Sequence, residues 1–97
     1  MRVEYHPETV TDLNRAVEYY DNQLGGLGSE LRQEVYSAID TLIENPLHYH
    51  PVKDEIRRKF LVKFPFSILF RVLSEDAVRI LVIRHHRQHP SLGLERS

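Results

Sequence analysis

Polar and apolar residues alternate with two different periods along this chain. Near the start, Arg2-Val3-Glu4-Tyr5-His6 alternates with period two, the mark of a half-buried strand. Pro7 ends it and suits the first turn of a helix, where Glu8 meets the positive helix end. Val10, Leu13, Val17, Tyr20 and Leu24 then follow at helical spacing and predict one apolar stripe. Gly25-Gly26 closes this first helix. A second helix is predicted from Gly28-Ser29, with Leu31, Val35, Ala38, Ile39, Leu42 and Ile43 as its stripe and Asn45-Pro46 as its stop. The short link predicts an antiparallel helical hairpin.

From Ile56 the period returns to two. Ile56, Arg58, Phe60, Val62 and Phe64 should share one face, and Arg57, Lys59, Leu61 and Lys63 the other. Phe66 to Leu73 reads as the next strand, Ser74-Glu75-Asp76 as a polar turn, and Val78 to His86 as a third strand rich in β-branched residues. The expected fold is α+β: an N-terminal strand, a helical hairpin, then a three-stranded antiparallel meander in one sheet, with the hairpin on one sheet face.

With 97 residues the chain has room for one domain, expected over residues 1–90, followed by a flexible tail over 91–97. The longest apolar run, Ile80-Leu81-Val82-Ile83, is far short of the ~20 residues of a membrane span. Met1-Arg2-Val3-Glu4 has no signal-peptide stretch, so the cytoplasm is the expected compartment and no membrane partner is expected. The absence of cysteine excludes disulfides, thiolate zinc sites and thiol catalysis. Charge is distributed unevenly. Residues 1–51 hold three Arg or Lys against nine Asp or Glu, and residues 52–97 hold ten against five. A basic face suited to a polyanion or an acidic protein follows from that asymmetry.

Several side chains in the basic half can do chemistry. His86 is the best acid–base candidate, because imidazole alone titrates near neutrality unperturbed. Arg84 lies two residues before it, on the same strand face, where it should reach a groove and matter more for activity than for folding. Arg57, Lys59, Lys63 and Arg71 could line that groove as phosphate or target contacts, although Arg57, Arg58 and Lys59 read equally as solvated charges blunting an edge strand. No metal site and no cofactor is expected. His85 and His86 point to opposite faces and, with His89, find no completing carboxylate. His48 and His50 sit in a loop. Ser67 and His86 could imitate a hydrolase pair, but no nucleophile-elbow glycines surround Ser67. Tyr19, Tyr20 and Tyr36 read as packing residues or interface anchors.

Four segments in this order resemble the RelE/ParE toxin superfamily of bacterial type II toxin–antitoxin modules, and within it the ParE-like plasmid stabilisation proteins: Ala16-Val17-Glu18-Tyr19-Tyr20, Leu42-Ile43-Glu44-Asn45-Pro46, Lys63-Phe64-Pro65-Phe66 with Ile68-Leu69-Phe70-Arg71-Val72, and Ile80-Leu81-Val82-Ile83-Arg84-His85-His86-Arg87. The resemblance implies a toxin held silent by a cognate antitoxin that wraps it. It also implies one of two actions: blocking DNA gyrase by binding, or metal-independent cleavage of messenger RNA on the ribosome, for which Arg84, His86 and Arg87 would be the catalytic set. RNA-cutting members typically carry an arginine where this chain has Ser67, and some carry a tyrosine where it has Arg87. The resemblance therefore favours a toxin that binds its target, with the endoribonuclease as the alternative.

Overall fold

The computed structural model describes residues 1–97. Strand β1 (Arg2–Tyr5) leads into α1 (Pro7–Gln23) and α2 (Leu27–Leu42); a 3-10 turn over Pro46–His48 precedes β2 (Pro51–Lys53), β3 (Ile56–Phe60), β4 (Phe66–Ser74) and β5 (Ala77–His85). The five strands form one sheet in the order β1-β5-β4-β3-β2. β1 runs parallel to β5, and all other neighbours are antiparallel. This is the expected α+β arrangement with one strand more, because Pro51–Lys53 pairs with β3 as a short edge strand.

His6 acts as the N-cap of α1, its Nδ1 accepting the Glu8 N–H at 3.1 Å. Gly26 has φ +91° and turns the chain from α1 into α2, a conformation open to glycine without a Cβ penalty. The α2 stripe is as expected, with Leu31, Val35, Ala38, Ile39 and Leu42 buried. The α1 stripe is rotated. Thr9, Leu13 and Ala16 are buried and Val17 and Tyr20 pack beside them, whereas Val10 and Leu24 are exposed. Val10 fits the helical period, but the buried stripe is only wide enough for its neighbours on the Thr9 side.

Both helices cover one sheet face and enclose a core with Phe66, Ile68, Phe70, Val78, Ile80 and Ile83. The other face carries a smaller cluster of Ile56, Leu69, Leu81 and Val82, with Leu94 packed against it. The expected alternation from Ile56 to Phe64 stops at Phe60. Beyond it Leu61 and Phe64 both turn into the helix-side core while Val62 is 93% exposed. Glu34 of α2 holds this turn, its carboxylate accepting the N–H groups of Val62 and Lys63 at 2.7 and 3.1 Å.

A bulge in β5 decides which face the candidate site occupies. Leu69 pairs with Val82 and Phe70 with Ile80, so Leu81 is the extra residue. Before it, Val78 and Ile80 face the helices; after it, Val82 and Arg84 face away from them. The bulge also lies where β1 ends, leaving β5 backbone groups without a strand partner. Side chains satisfy them: Thr9 Oγ1 lies 3.0 Å from the Leu81 carbonyl, and the Ile83 N–H donates to Asp12 Oδ2 at 3.3 Å.

Candidate functional site

On the open face the register places Phe60 opposite Ser67 and Ser67 opposite Arg84. His86 continues the row beyond the end of β5, its Nε2 lying 3.1 Å from Ser67 Oγ. Its ring stands nearly perpendicular to that of Phe60 at 5.4 Å between centroids, and the Arg58 guanidinium lies 4.5 Å from the Phe60 ring centre on the same sheet face. Arg58, Phe60, Ser67, Arg84, His86, Gln88 and Pro90 line a cleft of about 220 Å³. Two arginines, one imidazole and an exposed aromatic ring therefore converge on one surface.

Arg84 differs from its expected role as a groove-lining surface cation. It is only 8% exposed, and its Nη1 donates to the Pro90 and Leu92 carbonyls, the latter at 3.1 Å. Burial, and secondarily the charge of Arg58, lowers its pKa from the usual arginine value. The residue anchors the segment that follows β5 as well as facing His86. Residues 91–97, expected as a loose tail, lie against the open face: Leu94 packs on its apolar cluster and Arg96 is buried.

The expected single basic groove divides. Arg57 and Lys59 pair with Phe70 and Ile68, so they stand on the helix-covered face, where Arg57 donates to the Tyr49 carbonyl at 2.6 Å and Lys59 to the Tyr49 hydroxyl at 3.2 Å. Lys63 belongs to the turn after β3, beside Glu34. Arg71 is on the open face but pairs with Arg79, four residues along β4 from Ser67, about 13 Å at the strand rise. Arg87 turns to the other side. It lines a separate cleft of about 340 Å³ with Arg15, Tyr19, Tyr20, Phe66 and His85. Of the expected set, Arg84 and His86 are brought together, and Arg57, Lys59, Lys63, Arg71 and Arg87 are not.

His85 faces that second cleft. Burial first, then the charges of Arg87 and His86, lowers its pKa. Its Nδ1 accepts the Arg87 N–H at 2.9 Å, as a neutral imidazole can. His89 spends its Nδ1 on Ser91, so the three histidines do not converge.

Two features escaped the sequence reading. Arg58 and Phe60 belong to the site, and their shared strand face with the apolar residue Ile56 was the available signal. The buried pair of Arg96 and Asp12, 2.6 Å apart, had none, because 84 residues separate its partners.

No helix of the protein is long and apolar enough to cross a membrane. No curated protein matches the chain. A solved structure described as "Chromosomal ParDE TA system from P. aeruginosa" is similar over 88% of this chain and 95% of that one, with a TM-score of 0.78 and 21% identity, a likeness of fold. The model of the family described as "ParE toxin of type II toxin-antitoxin system, parDE" matches residues 3–90. With that match spanning nearly the whole of a fold of the same kind, this chain belongs to the ParE toxin family and is the toxin component of a type II toxin–antitoxin module.

Proposed function

We propose that this toxin acts by binding a protein target, DNA gyrase, through the open sheet face, and that it cuts no RNA itself. A cognate antitoxin is its other partner. The observation that carries the reading is the commitment of the two groups a nuclease would need. Arg84 is buried and donates to the protein's own carbonyls, and His86 Nε2 is within hydrogen-bond distance of Ser67 Oγ. Cleavage at a ribose 2′-hydroxyl needs a base within reach of that proton and cations on the developing phosphate charge. Ser67 supplies no positive charge where an arginine would. Arg58 stacked on Phe60 presents instead a cation with an exposed apolar ring, a combination common at protein interfaces.

The endoribonuclease is the second reading, favoured by the convergence of Arg58, Arg84 and His86 on one cleft. One pair of assays separates the two. Purified toxin should inhibit supercoiling by gyrase and leave messenger RNA intact on translating ribosomes. Ribosome-dependent cleavage that falls about 10²–10⁴-fold in His86→Ala, the size of a lost acid–base group, would establish the nuclease instead.

A further inference from the structure

The segment over residues 90–97 is fastened to the sheet by an unusual set of bonds. Its backbone hydrogen bonds are all local turns: Leu92 N–H to the His89 carbonyl, Leu94 to Ser91 and Arg96 to Gly93. None joins it to a strand or helix. Side chains alone attach it. Arg84 donates to the Pro90 and Leu92 carbonyls, and Arg79 Nε to the Ser97 carbonyl at 2.8 Å. Leu94 covers Ile56, Leu69, Leu81 and Val82. Gly93, at φ +90°, lies so close to Val82 that a Cβ there would come 2.5–3.0 Å from three of its side-chain atoms.

The last fastening is Arg96, which reaches round the edge of β5 to α1. Its Nη1 donates to Asp12 Oδ2 at 2.6 Å and to the Leu81 carbonyl, the bulge residue, at 3.0 Å. Its Nε is buried without a hydrogen-bond partner, 3.7 Å from Glu8. A buried donor left unmet offsets part of what the ion pair contributes. A segment attached only through side chains, with one donor unsatisfied, has the features of the elements that open locally at low cost, and its release would leave the sheet's backbone bonds intact.

We infer that residues 90–97 form a self-docked latch, closed by the Arg96–Asp12 pair, that gates the open face. Closed, the latch occupies Arg84 and covers the small apolar cluster. Open, it returns the Arg84 donors to solvent and joins Leu69, Leu81 and Val82 to the surface already presented by Arg58 and Phe60. The gating role rests on the reading that this face engages the target; the opening itself does not.

The test uses the whole chain and its Arg96→Ala and Leu94→Ala variants. Leu94→Ala weakens the latch without leaving Asp12 unpaired, so it reports even if Arg96→Ala fails to fold. Phenylglyoxal labelling of Arg84, read by mass spectrometry, and amide hydrogen exchange over 90–97 should both rise about five- to thirty-fold, the population change expected for the loss of a modest tertiary contact. Arg96→Lys should fall between the variant and the parent. Unchanged Arg84 labelling and exchange in folded variants would overturn the latch. Association with purified gyrase should quicken in the opened variants; association that is unchanged or slower while Arg84 becomes reactive would overturn the gating. If neither parent nor variant binds gyrase, the target is wrong, and the labelling alone decides whether the latch exists.

Discussion

The two faces of this sheet are covered in different ways. Two helices, α1 and α2, lie on one face and enclose a core of fifteen buried residues. The other face has four buried apolar residues under a short segment that makes no backbone bond to it. The first arrangement supplies stability through continuous apolar burial. The second is shallow and side-chain-fastened, and beside it stand Arg58, Phe60, Ser67, Arg84 and His86. On the proposed reading, folding and recognition are assigned to opposite sides of the same strands. Successive side chains of β3 and β4 alternate between the two faces.

The comparison breaks most visibly where the helix-side core is cut. Phe70 is fully buried beneath the hairpin. Phe70→Ala should cost about 3–5 kcal/mol, a large part of the stability of a domain this size, and urea denaturation should record it. At the junction of the two faces, Thr9→Val keeps the shape but removes the hydroxyl that meets the Ile80 and Leu81 carbonyls at 3.3 and 3.0 Å. A loss of roughly 1–2 kcal/mol is expected in the same measurement, with hydrogen exchange rising first around the bulge.

A smaller effect comes from His85. Its pKa is lowered in the folded state by burial and by the charges of Arg87 and His86. The unfolded chain therefore binds the proton more readily, and stability rises with pH across this group's range. That contribution is fully present above the unfolded value of about 6.5 and is lost as pH falls through the lower folded value. Denaturation midpoints measured down from neutrality should fall less steeply in His85→Gln. The smallest effect on folding belongs to the open face. Arg58 makes no ion pair and stacks on an exposed ring, so Arg58→Ala should change stability by less than about 0.5 kcal/mol. Growth arrest on expression should nevertheless weaken, which is the separation of tasks in a single substitution.

Much of this division was legible in the residues. The α2 stripe, the Phe66-Ile68-Phe70 face and the shared side of Arg84 and His86 all follow from periodicity. The face on which Arg84 and His86 would lie was not legible, because the extra residue at Leu81 reverses the phase of β5 midway. Strict alternation would have carried Ile80 and Arg84 to the same side. The basic groove was overdrawn for a related reason: Arg57 and Lys59 are one residue out of phase with Arg58, and Lys63 lies past the end of β3. The docked position of residues 91–97 depends on Asp12, Arg79 and Arg84, contacts at distances in sequence that no local pattern encodes.

The most direct test of the account is an amide hydrogen-exchange footprint of the toxin with and without purified gyrase. The open-face reading predicts new protection over residues 58–60 and altered exchange over 84–97, with residues 31–42 of α2 unchanged. Protection confined to α1 and α2, with the open face exchanging as in the free protein, would contradict it.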